Sequence, residues 1–494
     1  MPPKRKAAVP KENVPPKRGK NQAKESPKPI DEKVNKLVEV PDPVEDGTAA
    51  PSKVDVPSPS VVSSAASATK LSDSLLESFD KHPPGKLLIA GMVAWELTGG
   101  NKTKAAATNA RPNLLSFNRF TAETYRSAVS GCCSAHSVLI TLDRKALAFG
   151  RNQHGQLGQS DLRIFEKPTP VNGLKNVNVV QAACGRNHTL FLTDQGIVYA
   201  CGDNRNGQCG VGNTNSPIVK ATRLKYTGPP IVKVACGAEF SMLLDVNGDL
   251  HSFGMPEYGQ LGHNTDGKYF ITANRLTFHY EMSPKRLETF VDKTSEGRIV
   301  PMENVKIVDF ACGNNHTVAI DSKNRAFAWG FGGYGRLGHA VPQDEWVPRL
   351  NKYFDTQKRK VLRVFCGSTF SLATTDIGCL HLFGRNNVNG EASMYPRPVQ
   401  DFTGWDITTI GAGYSSILIS GEDSLVAWGA SPTYGELGLG DAVKSSSKPK
   451  LVPGMEGMKI PHVSLGQSHS LLLVDVEHEA TKQMYEELPE FIVD

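Results

Sequence analysis

Short apolar runs recur along residues 130–475, separated by turns rich in Gly, Asn and Asp. One unit reads Ala183-Cys184-Gly185-Arg186-Asn187-His188-Thr189-Leu190 and continues into an alternating run, Phe191-Leu192-Thr193. A turn at Asp194-Gln195-Gly196 follows, then a second apolar run, Ile197–Cys201, and the Gly-rich stretch Gly202-Asp203-Asn204-Arg205-Asn206-Gly207. Apolar runs of this length, bounded by Gly and Asn turns, predict strands, and no segment of the unit has a convincing helical period.

The pattern is a repeat. Its first half returns at Cys133–His136, Cys236–Ser241, Cys312–Thr317, Cys366–Ser371, Gly413–Ser416 and Gly466–Ser470. Its second half returns as Phe149-Gly150, Phe253-Gly254, Trp329-Gly330, Phe383-Gly384 and Trp428-Gly429. From Gly150 to Gly202 is 52 residues, from Gly202 to Gly254 another 52, and the next intervals are 76, 54 and 45. Self-similarity at such a period, with several short strands per unit, predicts an all-β propeller. One unit cannot bury both its faces, so stacking around an axis supplies the core. The first half occurs seven times. The run Leu87-Leu88-Ile89-Ala90-Gly91 supplies a missing second half at the other end of the chain. The expectation is a seven-bladed β-propeller over 81–476, closed by pairing of this N-terminal strand with the C-terminal repeat at Val463–Asp475, so that no sheet edge stays free. Asn101–Thr124 reads as a polar connection.

The 76-residue interval carries extra chain within 263–304, where Arg275–Tyr280 and Arg286–Val291 alternate on either side of Ser283-Pro284-Lys285. This predicts a projecting hairpin, and insertions in repeat proteins gather on one face that often binds a partner. Leu71–Asp80 reads as one short helical turn, and 477–494 as an acidic tail or short helix with Ala480, Met484 and Leu488 along one side.

Charge changes the picture at the N-terminus. The chain carries +5 overall, but residues 1–30 hold nine basic against two acidic residues, and residues 31–80 hold ten acidic residues against four lysines. The propeller segment is therefore nearly neutral, and the basic character sits on a Pro-, Lys-, Glu- and Ser-rich stretch that should be disordered over 1–80. Lys4, Arg5 and Lys6, with Lys17, Arg18 and Lys20, form two clusters that look like a two-part nuclear import signal. Such a tail can also neutralise nucleic-acid phosphates without sequence preference. Ser26 and Ser58 each precede a proline, as proline-directed phosphorylation sites do. The basic opening lacks the apolar run of a secretory signal, and no stretch approaches the ~20 apolar residues of a membrane helix.

Residues that resemble chemistry mostly belong to the repeat. Cys184, Cys236, Cys312 and Cys366 occupy one slot of successive units, as small buried side chains would, and the nine cysteines include no C-x-x-C pair. They read as reduced thiols rather than metal ligands or disulfides. His136, His188, His316 and His469 also share a slot, which predicts histidines bonded to backbone between strands. Gly150–Gly155 and Gly202–Gly207 lack the Lys and Ser/Thr of a phosphate loop. No catalytic constellation, cofactor site or metal site stands clear of the repeat, so the chain reads as no enzyme. The residues that depart from the repeat beside dictated slots are Arg186, Asn187, Glu239, Asn314, Asn315, Tyr334 and Arg336. As a set on the ring's ends they are the candidate partner-binding residues.

On these repeats the chain resembles the regulator-of-chromosome-condensation family over roughly residues 85–475. Gly185–Leu190, Cys236–Met242, Pro256–His263, Phe331–His339 and the long insertion before Val305 narrow the resemblance to the family's second member. That resemblance implies a mitotic and cytoskeletal regulator acting on small GTPases of the Rac, Arf or Ral type. It would be nuclear, meet centromeric chromatin, the spindle midzone and microtubule-associated structures, and work as a monomer with some cytoplasmic presence. The founding member instead exchanges nucleotide on Ran, using an enlarged wedge and acidic loop residues. Here Asp203–Gly207 is of ordinary length, Arg186 reverses one of those acids and Glu239 keeps the next. Guanine-nucleotide exchange thus stands as the alternative function, with Ran the less favoured substrate.

Overall fold

The computed structural model describes residues 70–97, 111–294, 296–357, 359–386, 391–421, 423–429 and 434–493. The two basic clusters, Ser26 and Ser58, and residues 1–69 of the stretch 1–80 expected to be disordered lie outside them.

Five blades form discrete sheets around an axis. The first consists of Val179–Cys184, His188–Thr193, Val198–Gly202 and Ile218–Arg223, antiparallel in that order from the axis outward. The second runs Ile231–Cys236, Phe240–Asp245, Leu250–Gly254 and Glu281–Arg286. The third is Ile307–Cys312, His316–Asp321, Ala326–Gly330 and Glu345–Leu350. The fourth is Val361–Cys366, Phe370–Thr375, Leu380–Gly384 and Ser393–Pro398, and the fifth Ile407–Ala412, Ile417–Gly421, Ser424–Gly429 and Ser446–Leu451.

The expected seven-bladed ring is corrected by the remaining sheet. Its strands do not separate into two further blades. They form one continuous seven-stranded sheet in the order His462–Leu465, His469–Val474, Gly85–Gly91, Leu114–Val129, His136–Thr141, Ala146–Gly150 and Phe165–Pro170. The physical reason is Leu114–Val129, a single 16-residue strand. Its early part pairs with Gly85–Gly91 and its last residues with His136–Thr141, with bulges that re-aim it between the two. The sequence reading took its first half for a polar connection. The closing contact itself lies where the apolar pattern put it, with Lys86–Gly91 in antiparallel register with Val474–His469.

Each pair of neighbouring sheets encloses its own apolar cluster, such as Val180, Leu190, Leu192, Val234, Leu243 and Phe253 between the first and second blades. The repeated histidines join those sheets, through hydroxyls rather than through backbone as expected. His136 Nε2 meets Thr189 Oγ1 at 2.7 Å, His188 Nε2 meets Ser241 Oγ at 2.9 Å, and His316 Nε2 meets Ser371 Oγ at 2.9 Å. Each hydroxyl spends its one proton on a carbonyl, of Gln156, Gln208 and Arg336 respectively. The imidazole must therefore donate from Nε2, which leaves Nδ1 a bare acceptor, and all three Nδ1 atoms are buried without a partner. The fourth histidine, His469, reaches Ser137 Oγ at 2.8 Å and closes the series across the continuous sheet.

The motif's glycine is explained by the same ring. A Cβ on Gly185 would stand 2.2 Å from Cε1 of His188, so the imidazole needs a bare backbone to lie on. Where the slot holds Phe240 or Phe370, the phenyl ring lies on Gly237 or Gly367 in the same way.

The insertion is not the hairpin expected around Ser283-Pro284-Lys285. Glu281–Arg286 is the outer strand of the second blade. A two-stranded hairpin, Lys268–Thr272 with Arg275–Phe278, stands free ahead of it. Phe290–Lys293 and Ile299–Met302 extend the third blade's outer edge. At the chain's start, helix α1 (Asp73–Ser78) is capped by Ser72, and Leu76 and Phe79 pack on the first blade. At its end, helix α2 (Glu479–Glu487) sets Met484 and Tyr485 against the fifth blade's core, while Ala480 is exposed.

Candidate functional site

In every discrete blade the first and third strands run the same way, so the turns that follow both gather at one end of the ring. The candidate residues belong to these turns. The cavity along the axis, about 350 Å³, is lined by inner-strand residues of all five blades and by Val129–Cys132 and Val463–Leu465 of the continuous sheet.

Adjacent turns are stitched by backbone. Arg186 N donates to Ala238 O at 3.2 Å, and Ala238 N donates to Asn314 O at 2.9 Å. With the backbone so occupied, side chains are left to face outward. Arg186 Nη1 and Glu239 Oε1 form an exposed ion pair of 2.8 Å, and Asn206 Nδ2 donates to Glu239 Oε2 at 3.2 Å. Beside them Asp203 is held by Arg205 at 2.5 Å and by Ser216 Oγ at 2.9 Å. Burial works against the Asp203 carboxylate, but these hydrogen bonds hold its pKa down to about 2. A strip of fixed, alternating charge thus crosses the first and second blades. An exposed pair of this kind adds little stability, under about 1 kcal/mol, so its value lies in what it can meet.

Arg336 does not belong to an open surface. It is buried, with Nε donating to Gly333 O at 2.9 Å and Nη1 to Ser368 O at 3.1 Å. Burial lowers its pKa to about 10, and the faces of Phe331 and Tyr334 lie against the guanidinium. Tyr334 is exposed and holds φ at +63°, uncommon for a bulky side chain, with the Arg385 guanidinium 3.6 Å from its ring centre. Asn314 turns Oδ1 toward the axis, where it accepts from the Cys132 thiol at 3.7 Å. Asn187 and Asn315 serve through backbone, their carbonyls accepting from Asp203 N and Phe331 N at 2.8 Å each. The structure therefore brings together Arg186 and Glu239, sets Tyr334 apart with Arg385, and turns the other four candidates inward or to backbone.

Sequence reasoning missed Asn206 and Arg385 as members of this end and set the projecting hairpin a few residues too late in the chain. These two look like ordinary turn residues until the fold sets them beside Glu239 and Tyr334. The hairpin interrupts the connection between the second blade's third and fourth strands, so it springs from this same end. All of Lys268–Thr272 is exposed, and its apolar side chains include Phe270 at 68% and Ile271, with exposed Leu276 on the facing strand.

Comparison with known proteins fits this architecture. The regulator of chromosome condensation (RCC1) repeat model matches residues 145–192, 195–244, 247–320, 323–374 and 422–473. Five copies are matched, as many as there are discrete blades and short of the seven expected. Over 414 residues the chain is 46% identical to Protein RCC2 of Mus musculus, covering 82% of this chain and 80% of that protein. It is 45% identical to the Protein RCC2 homolog of Xenopus laevis, covering 82% and 81%. Among solved structures, Prp20p from Saccharomyces cerevisiae aligns with a TM-score of 0.62 at 16% identity, over 85% of this chain and 98% of that one. Human WBSCR16 aligns with a TM-score of 0.61 at 22% identity, over 79% and 99%. With most of its length matched by the repeat and by these relatives, the chain belongs to the regulator of chromosome condensation (RCC1) repeat family, and within it is similar to Protein RCC2 over most of its length.

Proposed function

We propose that this protein is a non-enzymatic regulator that binds a small GTPase of the Rac, Arf or Ral type through the turn-bearing end of its ring. The observation that carries the reading is the free hairpin. An isolated two-stranded sheet is marginal in water, and this one exposes Phe270, Ile271 and Leu276 at the end that also carries the Arg186–Glu239 pair. Apolar anchors beside fixed charges are what a protein partner needs for affinity and register. Two relatives support the partner class. Prp20p was described with its binding properties to Gsp1p and histones, and a Mus musculus protein 28% identical over 284 residues is named the X-linked retinitis pigmentosa GTPase regulator. The basic tail would supply nuclear import and contact with chromatin or microtubule-associated structures, in line with a role in mitosis.

The test is binding of the full-length chain to purified GTPases of these types, with Phe270→Ser and Arg186→Glu variants. Both substitutions should weaken binding at least tenfold while leaving the thermal midpoint unchanged. Unweakened binding by both would remove this end of the ring as the interface. The hairpin also favours one alternative, since a protruding element is what an exchange factor uses to displace nucleotide. In that case the same variants would lose acceleration of GDP release.

A further inference from the structure

The turn that leaves the continuous sheet's inner strand breaks the repeat's length. Val129 stands opposite Val138 in register, as Ala183 stands opposite Leu190. Ser130 therefore fills the slot that Cys184 fills in the first blade, and Gly131–Ala135 is two residues longer than its counterpart Gly185–Asn187. The added length goes into a β-turn, with Ser134 N donating to Gly131 O at 2.8 Å and Gly131 N donating to Ser134 Oγ at 2.9 Å. Cys132 and Cys133 are its two central residues.

This turn reaches in toward the axis, where Gly131 and Cys132 line the axial cavity. Both thiols are buried and pack on Ala238 of the second blade, and Cys132 Sγ lies 3.7 Å from Asn314 Oδ1 of the third. Cys132 also lines the cavity, which gives a small molecule a way in. The two sulfurs are not equivalent. The neighbouring Cys132 and the nearby Arg186 guanidinium lower the Cys133 pKa against burial, whereas the neighbouring Cys133 and burial raise that of Cys132. Thiolate character at one sulfur with a second thiol beside it is the arrangement that lets a sulfenic acid be resolved.

We propose that Cys132 and Cys133 form a dithiol modification site beside the axial cavity, where hydrogen peroxide oxidises the pair to a vicinal disulfide. The Cys133 thiolate attacks one peroxide oxygen and the O–O bond breaks. Cys133 becomes a sulfenic acid, and the departing hydroxide leaves as water with a proton from solvent. Cys132 gives up its proton and attacks the sulfenic sulfur, so the S–S bond forms and a second water leaves. Two electrons pass from the thiols to the peroxide. The thiol proton held by Asn314 is lost, so the oxidation state is felt among the turns that carry Arg186 and Glu239.

The test uses the full chain in its native state, exposed briefly to equimolar hydrogen peroxide. It is then alkylated in denaturant and digested with trypsin without reduction. The peptide Ser127–Arg144 should appear two hydrogens lighter and free of alkyl groups, before partly exposed Cys379 reacts. The Cys132→Ser variant should stop at a Cys133 sulfenic acid that dimedone captures. A peptide alkylated at both cysteines while Cys379 is oxidised would overturn the proposal. So would a disulfide from either residue to another cysteine, and the wild-type peptide decides even if the variant fails to fold.

Discussion

The repeated histidines make acid sensitivity a property of the fold, and His188→Phe isolates one of them. The His188 ring is buried, donates through Nε2 to Ser241 and leaves Nδ1 bare. Burial drives its pKa from the ordinary 6.5 down to about 4. Protonation is thus favoured in the unfolded chain. The stability this group supplies is complete above 6.5 and is lost as pH falls toward 4. At 1.36 kcal/mol per unit, moving from pH 7 to pH 5 costs about 2 kcal/mol for each such histidine. Phenylalanine fits the slot, since Phe240 and Phe370 already lie on their glycines in the same position. At pH 7 the variant loses one hydrogen bond, about 1 kcal/mol, while Ser241 keeps its bond to Gln208 O. The account therefore predicts a crossover, with the variant less stable than wild type by about 1 kcal/mol at pH 7 and more stable by about 1 kcal/mol at pH 5. Urea unfolding followed by circular dichroism at the two pH values measures it. An equal difference at both would refute the reasoning, because His188 would then take up no proton on unfolding.

Three further predictions concern the repeat and its departures. Gly185→Ala would place a Cβ 2.2 Å from the His188 ring and 2.8 Å from Gly237 O, and should lower stability by about 2 kcal/mol or more in thermal unfolding. Glu436 fills a slot held by Gln156, Gln208 and Gln260, whose Oε1 atoms accept from the backbone as Glu436 Oε2 does from Tyr434 N. Burial pushes its pKa up to about 7, so its cost grows as pH rises past the ordinary carboxylate range. Glu436→Gln should accordingly stabilise by about 3 kcal/mol at pH 8 and by much less at pH 5. Replacing residues 268–278 by a short Gly-Ser link should leave the thermal midpoint within a degree or so, because the hairpin pairs with no other sheet.

The blade pattern was legible because it rests on local facts, namely apolar alternation, Gly turns and a fixed period. The glycine, cysteine and histidine slots followed, since the repeat itself marks them as dictated by packing. Blade number did not follow. It turns on whether one strand serves two neighbours, and nothing in Leu114–Val129 announces that its two halves pair with different partners. The candidate site was half visible. Arg186 and Glu239 stand out by departing from the repeat, but Arg336 departs as well and is buried, because a guanidinium can lie between Phe331 and Tyr334 and reach two carbonyls. Asn206 and Arg385 acquire meaning only through neighbours distant in the chain. The hairpin was misplaced by a few residues because Glu281–Arg286, which alternates like a loop strand, is needed to finish the second blade.

The measurement that bears most directly on the central claim is a paired one on the full-length chain and its Phe270→Ser and Arg186→Glu variants. Each is added to fluorescent-GDP complexes of Rac-, Arf-, Ral- and Ran-type GTPases, and binding and nucleotide release are read together. The account predicts binding to a Rac-, Arf- or Ral-type protein, weakened by both variants, with GDP release unchanged. Accelerated release from any of them would contradict a non-enzymatic regulator, and absence of binding to all would contradict the GTPase reading itself.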